Sequence, residues 1–399
     1  MIPDLRPPPP DSSRALRRPI PEVMRLAVAL GLRRSGFTLV GVVLLALTAV
    51  VAPAARPSTR SVTLFSIQGH GFGHGVGLSQ WGAEYRAVAG ESTSRILAFY
   101  YPRTTIGAVR PRQVRVFLAR RRLVRIGSRS RFELVDATGA VRRLPAGHWA
   151  IGPAGRIVGR SVRFPLVVRP GTAPVQLGST GYAGTLTLTL AGGQLQVVNT
   201  LGLEQYVAGV VSSECPGSWR PAALRAQAVA SRSYAVANLH PDASFDLYPD
   251  DRSQNYHGLH EHLPGATAAA LATRGEVLRY AGQVVGAFFT AANGGLTSVP
   301  DGLWGGDGAP YYAVRNDPFD ARSPDTNWGP LVVTLDDVRR AFPQIPADVT
   351  SVDLERNAGQ RVVAVTFHGA DGSAVPVGGY DFQQRLHLRS TYFDLAPQA

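Results

Sequence analysis

Apolar residues recur at three- and four-residue steps at Leu203, Tyr206, Val207, Val210 and Val211, which predicts a helix with one apolar face. Cys215-Pro216-Gly217 closes the pattern, because proline disfavours the helical conformation in the residue before it. A second helix is expected from Pro221 to Asn238. Ser218 is a candidate cap, Pro221 suits the first turn, and Ala222, Ala223, Ala226, Ala228, Ala230 and Ala235 favour helix and allow close packing. Gln227, Ser231 and Tyr234 fall on one stripe of it, an unusual mixture for a purely buried face. One carboxylate, Glu214, stands at the break between the two helices.

Residues 114–118, 124–126, 132–135, 162–168, 185–190 and 195–198 mix or alternate apolar and polar positions, the mark of short strands. Gly- and Asp-rich turns at 136–139 and 191–193 separate them. Further on, a helix is expected at 266–274, a hairpin from 277–280 and 284–290 around Gly282, a helix at 335–342, and strands at 352–354 and 362–368. The prediction is an α+β fold: a single composite domain over residues 66–399 with mixed or antiparallel β structure. Residues 108–200 form a β-rich subregion, and a central helix pair carries Glu214.

The amino terminus reads differently. Residues 1–35 hold seven arginines against three acids, and residues 37–51 are apolar, with small residues at 52–55. That is the layout of a basic, cytoplasmic n-region (1–35) and a signal peptide or membrane anchor (36–55), followed by a linker at 56–65. The bulk of the chain is then expected outside, either secreted to the cell wall or held on the outer face of the cytoplasmic membrane.

The formal net charge is +13, and every Lys or Arg is Arg. Positive charge suits anionic partners: cell-wall polymers, a membrane surface or nucleic acid. No RRM, zinc-finger or helix-turn-helix pattern supports nucleic acid. Arg120–Arg122 reads first as a solvated edge. The one cysteine, Cys215, excludes an intrachain disulfide and reads as a small buried apolar residue.

Three polar stretches complete the candidate chemistry. Residues 69–90 open with alternate glycines around His70 and His74. Glycine allows backbone conformations that others do not, and two histidines are too few for a structural zinc site. Residues 245–262 are loop-like, and His257, His260 and His262 with Asp250 and Asp251 read as a solvated loop; no metal is expected. Residues 291–297 include Asn293-Gly294-Gly295, a turn expected to expose backbone N–H groups. Nearby Trp304 and Tyr311 are either sugar-stacking platforms or core.

E-x-Y-x-x-G-V-V-x-x-E-x-P at 204–216, followed by W-x-x-x-A-L-x-A-Q-A-V-A-x-R-x-Y-A at 219–235, resembles the signature of the stage II sporulation protein D / LytB family, which cuts or helps to cut bacterial cell-wall glycan. The resemblance extends to G-H-G-V-G-x-S-Q-x-G-A (73–83), I-L-x-x-Y-Y-P-x-T (96–104), the Gln254-x-Tyr256-x-Gly258 piece and the 291–297 loop. It implies that Glu214 is the catalytic acid. It implies that His70, His74, Ser79, Gln80, Gln227, Arg232, Tyr234, Gln254, Tyr256, Asn293, Gly294 and Gly295 line or support the glycan cleft, with no cofactor. Arg232 is equally read as a structural anchor between the two helices. The chain departs from the family in two ways. Tyr248 and Ser253 stand where many relatives have cysteines. The glycine-histidine block precedes the helix pair instead of closing the chain, as a circular permutation would leave it, so residues 66–82 are expected beside a strand ending near Phe393.

Glycosidases usually need two carboxylates, and Glu204 falls on the polar side of its helix, where it reads as structural. A lytic transglycosylase needs only one, since the sugar's own 6-hydroxyl is the nucleophile. Cleavage of MurNAc–GlcNAc bonds in peptidoglycan glycan strands with Glu214 as sole acid and base is therefore the leading reading. The alternative is a non-catalytic glycan-binding modifier that stimulates a cell-wall amidase.

Overall fold

The computed structural model describes residues 64–259, 263–303 and 308–398. The basic and apolar amino-terminal stretches, His260, His262 and Trp304 lie outside the described residues. No helix among the described residues is long and apolar enough to cross a membrane.

Seven helices are described: α1 (Gln80–Val88), α2 (Thr93–Tyr100), α3 (Leu203–Glu214), α4 (Pro221–Ala237), α5 (Pro264–Ala272), α6 (Leu335–Ala341) and α7 (Gly379–Arg385). Nearly all strand pairing is antiparallel, and the fold is α+β. The β-rich subregion is built from a six-stranded sheet ordered Gln113–Arg121, Gln194–Gly202, Thr185–Ala191, Leu166–Arg169, Phe132–Val135, Val141–Leu144. A four-stranded sheet accompanies it, ordered Thr180–Tyr182, Val175–Leu177, Val124–Ser128, Gly147–Ile151. Val116, Ile126, Leu134, Val168, Leu186 and Val197 fill the space they enclose, together with Tyr206, Val207 and Val210 of α3.

Helix α4 is the member that two cores share. Leu224, Ala228 and Ala235 face the β-rich core. Ala223, Ala226, Val229 and Ala230 face a second core of Val76, Leu78, Ile96, Tyr101 and Leu278. Alanine allows both approaches because it adds little bulk on either side and is the best helix former. A third core, around Phe65, Ile67, Phe342, Phe367 and Phe393, underlies the sheet Asn327–Thr334, Leu64–His70, Phe393–Gln398. In that sheet Leu64 pairs with Gln398 and Gly69 with Phe393. The start of the glycine-histidine block therefore lies beside a strand at Phe393, but that strand begins there and does not end there: residues 386–392 follow α7 as turn and irregular chain.

Several local expectations change. Arg220, not Ser218, is the N-cap of α4; its N–H donates to the Glu84 carboxylate at 2.8 Å, so a side chain from α1 supplies the missing acceptor. In place of a strand over 162–168 the structure has one at Leu166–Arg169, since Pro165 has no N–H for a ladder. The hairpin at Gly282 ends at Val284, and Phe289–Thr290 instead pairs in parallel with Leu78–Ser79. Helices α1, α2 and α7 and the strand Asn327–Thr334 were not expected.

Candidate active site

Glu214 is the last residue of α3, and Cys215 caps the helix in an extended conformation. The carboxylate is half-buried. One oxygen accepts the Asn255 N–H at 2.9 Å, the other the Gln80 side-chain amide at 3.1 Å. Burial raises its pKa above the ordinary value, while the bonds from Asn255 and Gln80 and the charge of His257 pull the other way. The carbonyls at the end of α3 also disfavour a negative charge there. Among the described residues no arginine bonds to it, so nothing there holds it firmly ionised. Both donors remain usable after protonation: Gln80 can present its carbonyl oxygen by rotating the amide.

Gln80 is placed by the start of α1. Ser79 caps that helix, taking the Gly82 N–H at 3.0 Å, and its hydroxyl donates to buried Asp320. The next residue, Trp81, packs on Trp219, ring centroids 5.0 Å apart, and on Tyr85 at 5.9 Å. Its indole N–H reaches Asp325 at 3.2 Å, Arg389 binds the same carboxylate at 2.9 Å, and that guanidinium lies 5.8 Å from the ring of exposed Phe72. Aromatic rings and charged hydrogen-bonding groups thus run from Glu214 along the glycine-histidine block, a surface suited to sugar rings and their hydroxyls. Glu214 lines neither of two hollows, of about 440 and 330 Å³, on the β-rich side; His257, close enough to bias its charge, borders the smaller one.

Gln80 is the expected cleft residue that the structure brings to Glu214, while Ser79 is buried and caps its helix. Gln227 is buried and donates to Ser231 at 3.1 Å; Gln254, also buried, donates to the Ser231 carbonyl at 3.3 Å. Their amide oxygens and the Tyr206 hydroxyl have no protein partner among the described residues, and together they form a polar layer behind the site. Tyr234 bonds Ser253 and packs its edge on Phe288 at 5.8 Å. His70 bonds Asn327 at 2.7 Å and lies against Tyr392. His74 accepts the Val76 N–H at 3.0 Å; burial, with Arg361 adding, lowers its pKa to about 3, so it is neutral.

The geometry decides one open alternative, at Arg232, and corrects three expectations. Arg232 is fully buried and bonds Glu204 at 2.6 and 3.1 Å, with further bonds to Thr273 and to the carbonyls of Ala228, Ala270 and Glu276. Its donors are consumed within the fold, so it anchors helices and cannot reach a ligand. Tyr256 is likewise core: 2% exposed, its hydroxyl on Asn199 at 2.8 Å. Asn293 is fully buried between Asp317 and the Gly295 N–H. The Gly295 N–H is not on offer, since Asn293 and Asp320 take it. Gly294 instead lets the loop interlock with the glycine-histidine block, where a Cβ would lie 2.7 Å from that of His70. Sequence reasoning missed Asn255, which meets Glu214 through both its main-chain N–H and its side chain. It also missed Trp81 and Glu84, which needed α1 to be recognised. Among the described residues no three His, Cys, Asp or Glu side chains gather as a metal site.

This geometry defines a domain in which a helix pair carries one neutralisable acid against a glycine-histidine block. Residues 191–280 match the SpoIID family model, described as Stage II sporulation protein. The chain is 32% identical over 146 residues to Stage II sporulation protein D of Bacillus subtilis, covering 32% of this chain and 42% of that one. It is 33% identical over 132 residues to an uncharacterised protein of Brachyspira hyodysenteriae (32% and 36%). It is 29% identical over 120 residues to the amidase enhancer of Bacillus subtilis (30% and 16%). The matches therefore span less than half the length of each of these relatives.

Proposed function

We propose that this domain cleaves peptidoglycan glycan strands as a lytic transglycosylase, outside the cytoplasm, either secreted or anchored through residues 36–55. The observation that carries the reading is the state of Glu214: a half-buried carboxylate whose pKa burial raises, hydrogen-bonded by the neutral donors Asn255 and Gln80 and, among the described residues, by no arginine, with the nearby charge of His257 pulling the other way. A raised pKa keeps the proton on such a group to higher pH than on an ordinary carboxylate, which suits a general acid. Its proton passes to the glycosidic oxygen as the MurNAc C1–O bond breaks. The 6-hydroxyl oxygen of the same sugar bonds to C1, its proton goes to the Glu214 carboxylate, and a 1,6-anhydro end results with the acid restored. No second carboxylate is required, which agrees with Glu204 being committed to Arg232.

The amidase-enhancer relative supports a second reading, a glycan-binding modifier of an amidase, which needs the aromatic surface but not the acid. Mass spectrometry of purified glycan strands separates the two. Anhydro ends from wild type and none from Glu214→Gln support the lyase. Strands bound by both proteins and cut by neither overturn it in favour of the modifier.

A further inference from the structure

Residues 108–200 contain fifteen arginines and two acids, Glu133 and Asp136. Fifteen less two is +13, the net charge of the entire chain; the remainder balances, 26 arginines (41 less 15) against 26 acids (28 less 2). Thirteen of the fifteen arginines are exposed. The same subregion also exposes four large apolar side chains: Leu123 (63%), Val158 (63%), Val141 (52%) and Leu190 (50%).

These residues form a connected rim. Leu195 pairs across the sheet with Arg121 on one side and Leu190 on the other. Arg122 and Leu123 form the next turn and lie against Gly152, at the end of the neighbouring strand. A short loop then leads to the hairpin Arg156–Ile157 and Arg160–Ser161, with Val158 at its tip. The Arg142 guanidinium donates to the Ser161 carbonyl at 2.8 Å, which places Val141 beside that hairpin. Leu123 and Val141 adjoin Arg122 and Arg142 in the chain, Val158 lies between Arg156 and Arg160, and Leu190 is one strand removed from Arg121. Val158 also has φ +49°, a conformation costly for a β-branched residue, and it buries little in exchange; such strain points to a use outside the fold.

We propose that this rim docks on an anionic lipid surface, with the arginines at the headgroup phosphates and Leu123, Val158, Val141 and Leu190 in the interfacial layer. Charge complementarity fixes the sign of the partner. The apolar tips decide for a bilayer over a soluble polyanion, which would use the arginines and leave those side chains in water. The docking is independent of Glu214 and of the reaction proposed for it.

Cysteine introduced at 123, 158 or 332 in the full chain and labelled with a polarity-sensitive dye tests this, because the native Cys215 is buried and Val332 is exposed in another sheet. Labels at 123 and 158 are expected to shift to the blue on phosphatidylglycerol-containing vesicles, not on phosphatidylcholine alone, and to return at about 1 M salt, where the screening length is about 3 Å. The label at 332 should not move. Adding Arg122→Gln, Arg156→Gln and Arg160→Gln together should reduce the 123 response about a hundredfold in vesicle affinity, about fivefold per arginine. Labels that stay unshifted on anionic vesicles, or shift equally on neutral ones, or shift together with 332, overturn the proposal. So does an equal shift with a soluble phosphodiester polymer in place of vesicles. Circular dichroism of each variant confirms that the labelled proteins are folded.

Discussion

Helix α3 carries an acid at each end, and the two ends are opposites. At the start, Glu204 meets the fully buried guanidinium of Arg232 in a two-bonded pair and also takes the Gly275 N–H at 3.2 Å. At the finish, Glu214 has a main-chain N–H and a neutral amide, and burial raises its pKa. The same side chain on the same helix is structural where a buried guanidinium binds both its oxygens and chemically available where its hydrogen bonds come from neutral donors. The helix dipole reinforces the difference, favouring the carboxylate at the N-terminal end and opposing it at the C-terminal end.

The largest effect that would break this comparison is at the anchored end. Arg232→Met removes the cation and leaves Glu204, three carbonyls and a threonine hydroxyl short of a donor. We expect a loss of about 3–5 kcal/mol, the usual result of removing one partner of a buried pair, measured as a lower urea midpoint. A loss under about 1 kcal/mol would mean that the anchor does not hold α3 and α4 together, and the contrast between the two ends would collapse.

A smaller effect of opposite sign is expected at the other end. In the folded state the Glu214 pKa lies above its ordinary 4.5, so the folded protein binds that proton more tightly than the unfolded chain does. Stability from this group is complete below about 4.5 and declines as pH rises through the raised value. In Glu214→Gln the new amide does not titrate, and Gln80 can turn its own amide to satisfy it. The variant should therefore match wild type at pH 4 and exceed it at pH 7 by about 0.5–2 kcal/mol, the range typical when a functional site is relieved. Thermal unfolding at the two pH values reads this directly. His74 works against it at low pH: with its pKa depressed to about 3, it costs wild type and variant alike as pH falls from 6.5, so the comparison is of differences and not of absolute melting temperatures.

Much of this was legible in the sequence, and what was not has identifiable causes. The acid between two helical patterns could be read because proline and alanine punctuate it. The meeting of the chain ends followed from the order of the blocks. The Glu204–Arg232 pair could not be assigned from residues 28 positions apart, because a motif does not distinguish an arginine facing substrate from one facing carbonyls. Helix α1 was hidden by the glycines before it, although Ser79 as cap and Gly90 at φ +89° after its end are ordinary boundary signals. The 291–297 turn was read as an open set of N–H donors; its partners, Asp317 and Asp320, come from a segment whose residues give no hint of the meeting.

The finest adjustment of the contrast is Gln80→Leu. It leaves Glu214 its main-chain bond from Asn255 and removes the side-chain donor, one of the influences that lower its pKa, while adding apolar surface beside the carboxylate. Both changes push the Glu214 pKa further up. If Glu214 is the acid, the alkaline limb of the pH–rate profile for strand cleavage should move to higher pH, with kcat at the acidic optimum changed by less than about tenfold, since the proton donor itself is intact. The conservative Gln80→Asn shortens the amide and should move the limb in the same direction by less. A limb that does not move in either variant would mean that the hydrogen bond between α1 and Glu214 has no part in setting the acid, and that the glycine-histidine block meets the helix pair for packing alone.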